Sequence, residues 1–276
     1  MSEPEQREER AQGRREEVER ARDRGTRSRR RVETKPFLLL SIRVDRAAAD
    51  NEHESFQRFI GPDQSELTVV NLVHERMPSI DLDEWSAILL GGGPWNASDA
   101  AEVKSLVQLR AEREILTLLD HVVARDFPFL GACYGIGTVG LHQGGVVDRS
   151  WPEPVGPLSV TITPDGKADP VFAGVPTDFA AYGGHKEAMV RLPPGAVLLA
   201  TSQACPVQAF RVGRNVYATQ FHPELDLEGI CTRIEVYKNA GYFDPSAAET
   251  LKAQARAVPV RHPMTLLSNF VRLHRS

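Results

Sequence analysis

The sequence predicts an α/β fold, a doubly wound and mostly parallel sheet with helices on both faces, and three observations carry that prediction. Short apolar runs rich in β-branched residues recur from Lys35 onward. Helical stretches separate several of them, the alternation that builds parallel sheets with sites beyond the strands' carboxyl ends. The later runs lie closer together, which implies an antiparallel extension of the same sheet.

The chain has 276 residues, enough for one large α/β domain, and its 41% hydrophobic and 25% charged residues are those of an ordinary globular protein. Residues 1 to 34 are almost wholly charged, with acids early and arginines late. Such a segment buries too little apolar surface to offset the entropy of ordering, so a solvated, disordered tail is expected there, followed by a single domain over 35–276. The stretch "RDRGTRSRRR" is basic, but the formal net charge of -4 gives the folded part no field that would recruit nucleic acid. No apolar run is long enough to span a bilayer, and no apolar segment of the signal-peptide kind follows the N-terminal charges. Cys133, Cys205 and Cys231 are sparse and lack both disulfide and metal spacing. A reducing, cytoplasmic setting is expected, with no metal and no cofactor.

Order begins at "KPFLLLSIRV", read as a buried parallel strand, and continues through "LTVVNLV" and "AILLGGG". The stretch "SDAAEVKSLVQLRAEREILTLLDHVVAR" repeats apolar residues at helical spacing, with Ser98 placed to cap its start. Then come "FPFLGAC", "LSVTIT", "AVLLAT", "VQAFRV" and "NVYATQF", all read as strands. After Glu224 the chain passes through "LEGICTRIEVYKNAGYFDP" to the amphipathic "HPMTLLSNFVRLH", expected to close over the sheet as helices.

"FPFLGACYGIGTVG" sets Cys133 between Gly131 and Gly135 where a strand should end and a helix begin. That is the strand–turn–helix of a nucleophile elbow, whose crowded turn leaves no room for Cβ atoms at the two glycines. A cysteine there is held at a helix N-terminus, which favours the attacking thiolate. In "VYATQFHPEL", His222 and Glu224 stand two residues apart at a strand end, so they project to one side and the carboxylate can orient the imidazole. Cysteine, base and orienter form the set that covalent catalysis needs. In "AILLGGGPWNASD" a strand runs out into bare backbone N–H groups. The N–H of Gly93, with that of Tyr134 after the nucleophile, suits the oxyanion of a tetrahedral intermediate. The glycine loop lacks the spacing of a nucleotide-binding loop.

These pieces resemble the class I glutamine amidotransferases, most closely the amidotransferase domain of GMP synthase, over about residues 36–225. The family's "SGGP" matches "GGGP" ending at Pro94, its "G-x-C-Y-G-x-Q-T" matches Gly131 to Thr138, and its "QFHPE" matches Gln220 to Glu224. "GGHKEAMVRLPPGAVLLATSQACPVQAF" looks like the family's "SHGD" segment and the residues C-terminal to it. The resemblance implies a flavodoxin-like core, Cys133 as nucleophile, His222 as base and Glu224 as its orienter, with Gly92, Gly137 and His185 on the substrate side. It implies release of ammonia from glutamine through a γ-glutamyl thioester. Where the family carries a glutamine four residues after the nucleophile, this chain has Gly137. That departure opens a second reading, a γ-glutamyl peptide or conjugate as substrate, with room at Gly137 for a larger leaving group. The chain carries no synthase domain of the GMP synthase kind, so the ammonia acceptor is expected to be a separate synthase subunit. The third reading is a catalytically idle binding or regulatory module, against which the complete triad counts.

Overall fold

The alternation of apolar residues in the first strand decides how the layers stack. In β1 (Phe37–Ser41) every residue is buried. Phe37 and Leu39 enter one apolar cluster while Leu38 and Leu40 enter another, because successive side chains leave opposite faces of a strand. A strand apolar on both faces needs a helical layer on each.

The computed structural model describes residues 34–61 and 66–276. The charged tail expected at the N-terminus lies, up to residue 33, outside them; Lys35–Ser276 forms one compact unit. The chain runs β1, α1 (Arg46–Ile60), β2 (Leu67–Asn71), β3 (Ala87–Leu90), α2 (Leu106–Ala124), β4 (Phe129–Ala132) and α3 (Tyr134–His142). It continues through β5 (Val146–Asp148), β6 (Glu153–Ile162), α4 (Pro164–Ala168), β7 (Asp178–His185), β8 (Ala188–Arg191), β9 (Val197–Thr201), β10 (Ala209–Val212) and β11 (Val216–Thr219). Three helices complete the order: α5 (Leu227–Tyr237), α6 (Ala248–Ala257) and α7 (Pro263–His274). None of the described helices is long and apolar enough to cross a membrane.

Among the described residues, nine strands form one sheet in the order β2-β1-β3-β4-β11-β10-β9-β6-β7. The run from β2 to β11 is parallel, and the rest is antiparallel. β5 and β8 pair separately. Phe56 and Ile60 of α1 and Leu266, Leu267 and Phe270 of α7 cover one face. Ala111, Ile115 and Leu119 of α2 and Ile136 and Val139 of α3 cover the other. The doubly wound, mostly parallel sheet expected from the sequence is what forms, and the carboxyl ends of β1, β3, β4 and β11 lie side by side.

Some local expectations change. Helix α2 begins at Leu106 with Ser105, not Ser98, accepting the capping bond from the Gln108 N–H. Ser98 is taken up elsewhere: its N–H and hydroxyl both donate to Glu187. β5, β7 and β8 add to the strands expected from the sequence; β7 reads "DFAAYGGH", whose glycines and alanines hide a strand that draws its order from pairing with β6.

The elbow glycines are not equivalent. A Cβ on Gly131 would lie 2.9 Å from the Cα of Gly135, whereas one on Gly135 would meet nothing nearer than the Leu90 carbonyl at 3.5 Å, an ordinary contact. The expected crowding therefore applies to Gly131 alone. Gly131→Ala is expected to cost about 1–3 kcal/mol, the usual penalty of overpacking, while Gly135→Ala costs far less. Urea midpoints of the two variants check this, and equal losses would refute the one-sided crowding.

Candidate active site

The site is assembled where four parallel strands end. At the end of β4, Cys133 has φ 55°, a left-handed conformation that a residue with a Cβ adopts only under tertiary constraint. Its N–H donates to the Thr219 carbonyl of neighbouring β11 at 2.8 Å, and α3 starts at the next residue. The sulfur-bearing residue is half-buried and lines a cavity of about 50 Å³ with Gly93, His222, Arg43, Arg233, Tyr237 and Tyr242 among its walls.

His222 lies just beyond β11 and is steadied from behind by its N–H, which donates to the Tyr182 carbonyl at 2.9 Å. Its Nδ1 lies 2.8 Å from Oε1 of Glu224, as the i, i+2 spacing requires. A carboxylate only accepts, so this contact places the Nδ1 proton toward Glu224 and leaves Nε2 for the cysteine side. Gly92 stands between the two: a Cβ there would lie 2.5 Å from His222 Cε1 and 3.1 Å from Cys133 Cβ. The absence of a side chain at Gly92 is thus what lets imidazole and thiol share the space.

Burial alone would lower the His222 pKa, but Glu224 and Cys133, as charges and hydrogen-bond partners, outweigh it and raise it above the usual imidazole value. Burial alone would raise Glu224, but His222 and Arg233 outweigh it and hold the carboxyl down to about 2.

Three residues without a motif of their own in the sequence complete this centre. Arg233 Nη2 donates to Glu224 Oε1 at 3.1 Å, and its Nη1 lies 3.2 Å from His222 Nδ1. Glu52 lies 3.8 Å from Arg233 on one side and 3.0 Å from Arg43 Nε on the other, and it accepts from Ser41 Oγ at 2.8 Å. All four charged side chains are buried. A signal for two of them was present. Glu52 falls in the stripe Ala48, Glu52, Phe56, Ile60 of α1, and Arg233 lies beside Gly229, Ile230 and Ile234 on the buried face of α5. A charge on an apolar stripe asks for a buried partner.

The substrate-side residues divide. Gly92 is at the centre. Gly137 is not an opening: a Cβ there would meet Glu187 Oε1 at 3.2 Å and Ala97 Cβ at 3.3 Å, so the room expected for a larger leaving group is filled. Glu187 is held there by the N–H groups of Ala97 and Ser98. His185 does not appear among the residues lining the cavity. It is buried, with Nε2 2.9 Å from Glu153 Oε2 and Nδ1 2.9 Å from the Glu187 carbonyl. Gly93 lines the cavity with Cys133, and the Tyr134 N–H, in the first turn of α3, has no helical acceptor.

Glu153, His185 and Cys205 bring one potential metal-ligand atom each within 4.8 Å of one another. Hydrogen bonds already occupy the group: Glu153 also accepts from Ser202 and Gln208, and burial pushes the Cys205 thiol up to about 12.

The family model for class I glutamine amidotransferases matches residues 52–232. A glutamine-hydrolyzing GMP synthase subunit of Thermoplasma acidophilum is 28% identical over 156 residues, 56% of this chain and 71% of that protein. Gamma-glutamyl peptidase 3 of Arabidopsis thaliana is 28% identical over 178 residues, 63% of this chain and 68% of that one. The match to the GMP synthase of Thermosipho africanus spans only 24% of that protein. A crystal structure of a glutamine amidotransferase from Thermotoga maritima superimposes with a TM-score of 0.65 at 21% identity, over 88% of this chain and 99% of that one, and so shares the fold.

The geometry sets two expected outcomes. A glutamine-like electrophile should label Cys133 within minutes and leave the fully buried Cys205 unmodified; equal labelling by mass spectrometry would contradict the placement. Glu224, depressed in the fold, contributes stability that is present above its ordinary value of 4.5 and lost as pH falls toward about 2. Urea midpoints should therefore fall across that window, and less steeply in Glu224→Gln. His222, raised in the fold, contributes stability present below 6.5 and lost as pH climbs through its raised value.

Proposed function

The chain belongs to the class I glutamine amidotransferase family, and from that membership we propose that it hydrolyses the side-chain amide of glutamine. The observation that carries the reading is the convergence of a strained Cys133 at the head of α3 with the His222–Glu224 pair across Gly92.

In this reading the Cys133 thiolate attacks the amide carbon, and the oxygen becomes an oxyanion stabilised by the N–H groups of Gly93 and Tyr134. His222, its imidazolium stabilised by Glu224, gives a proton to the departing nitrogen. The C–N bond breaks, ammonia leaves and a γ-glutamyl thioester remains. Water then attacks the thioester while His222 takes its proton. The C–S bond breaks, and glutamate and the thiol are released. The filled space beside Gly137 favours a leaving group the size of ammonia. Ammonia is passed to a separate synthase, a partner suggested by the similarity to the Thermoplasma acidophilum protein. The similarity to the Arabidopsis thaliana peptidase supports the second reading, cleavage of a γ-glutamyl peptide by the same three residues.

Glutamine and γ-glutamyl peptides, offered separately to the purified chain, distinguish the two. Equimolar glutamate and ammonia from glutamine support the first; peptide cleavage alone replaces it with the second. His222→Ala should lower turnover by at least about 10²–10⁴, the contribution of general acid–base catalysis. Glu224→Gln should lose less and shift the pH–rate profile to lower pH, because the imidazolium loses its neighbouring charge. Wild-type rates in both variants would remove the triad.

A further inference from the structure

Arg43 lies at the end of β1, in the wall of the cavity that holds Cys133 and His222, and is only 3% exposed. Its guanidinium is fixed at two of its three nitrogens. Nε donates to Glu52 at 3.0 Å and Nη1 to the Tyr237 hydroxyl at 3.2 Å, and the guanidinium carbon lies 5.8 Å from the Tyr237 ring centre. The Asn71 amide holds the Arg43 carbonyl, so the backbone is anchored as well. The third nitrogen, Nη2, is buried and has no hydrogen-bond partner.

A buried donor on a charged group left without a partner is costly, and the fork of a guanidinium is shaped to meet a carboxylate. The other buried cation in the wall, Arg233, is turned behind the imidazole by Nη2, which donates to Glu224, although its Nε is also buried without a hydrogen-bond partner. The four buried charges, Arg43, Glu52, Arg233 and Glu224, alternate in sign and sum to zero. An incoming carboxylate at Nη2 therefore meets a donor with no internal anion of its own beyond the shared Glu52.

We propose that Arg43 is the substrate anchor of this cavity, its free Nη2 binding the α-carboxylate of the γ-glutamyl group whose side-chain amide faces Cys133. The assignment rests on the hydrolase reading above and adds to it a specificity: substrates must present a free α-carboxylate. It also explains why Glu52 and Tyr237 are spent on a residue outside the triad. They hold the guanidinium still, so that little entropy is lost when the carboxylate arrives.

The test uses the chloroketone analogue of glutamine and its α-carboxamide, with the rate of Cys133 alkylation read by mass spectrometry. In each case Sγ forms a bond to the methylene carbon and chloride leaves. The wild type is expected to react faster with the acid than with the amide by about 10- to 100-fold, the range of a hydrogen bond to a charged group. In Arg43→Met the ratio should collapse toward one. Arg43→Lys keeps the charge for folding, but a single ammonium cannot hold Glu52 and Tyr237 and also reach the ligand, so its ratio should fall too. Taking the ratio within each variant cancels any change in thiol reactivity. A wild-type ratio near one, or a folded variant that keeps the wild-type ratio, overturns the anchor alone. If neither chloroketone labels wild-type Cys133 faster than iodoacetamide does, the hydrolase reading fails and the anchor falls with it.

Discussion

A buried chain of alternating charge, His222–Glu224–Arg233–Glu52–Arg43, is what the rest of this site depends on. Taking ions out of water is expensive, and such a chain persists only because each member has an opposite neighbour. Its links come from four places: the strand end before α1, α1 itself, the loop after β11, and α5. Packing α1 and α5 together is therefore also what fixes the carboxylate behind the imidazole. Removing one member strands its neighbour, so Glu52, far from the thiol in sequence, is linked to Glu224 through the Arg233 they share.

The parallel half of the sheet explains why these groups meet. β1, β3, β4 and β11 run the same way, so Arg43, the glycine loop, Cys133 and His222 all emerge from one edge. Hydrogen bonds between neighbouring strands then set the register. The Cys133 N–H to Thr219 and the His222 N–H to Tyr182 tie Cys133 and His222 to the same framework. The left-handed backbone of Cys133 is held in that way and not by a local preference.

Gly137 shows how one position changes meaning once neighbours are known. In the sequence it is a missing side chain and an apparent gap. In the fold its surface is covered by Glu187, which reaches across to the N–H groups after the glycine loop. The same carboxylate removes Ser98 from its expected capping role. A glutamine at 137 and a glutamate at 187 compete for one volume, so the short side chain belongs with the long acidic one.

Strand runs, the helical period of α2, the Cys133 elbow and the His222–Glu224 spacing were all legible in the sequence, because each is decided within about ten residues by side-chain alternation, helical period or turn chemistry. Elements whose order comes from partners were not legible: β7 and β8 carry little β signal of their own, and the start of α2 moved when Ser98 was bound elsewhere. Arg43 was hidden for the same reason, and Glu52 and Arg233 showed only as charges on otherwise apolar helix stripes, with no sign of their partners. The three are separated by as many as 190 positions, and only the packing of α1 and α5 takes them out of water together. The sequence by itself determined the chemistry present at the sheet's edge. The tertiary structure alone decided which charges are buried beside it, because desolvation is a property of the surroundings and not of the residue.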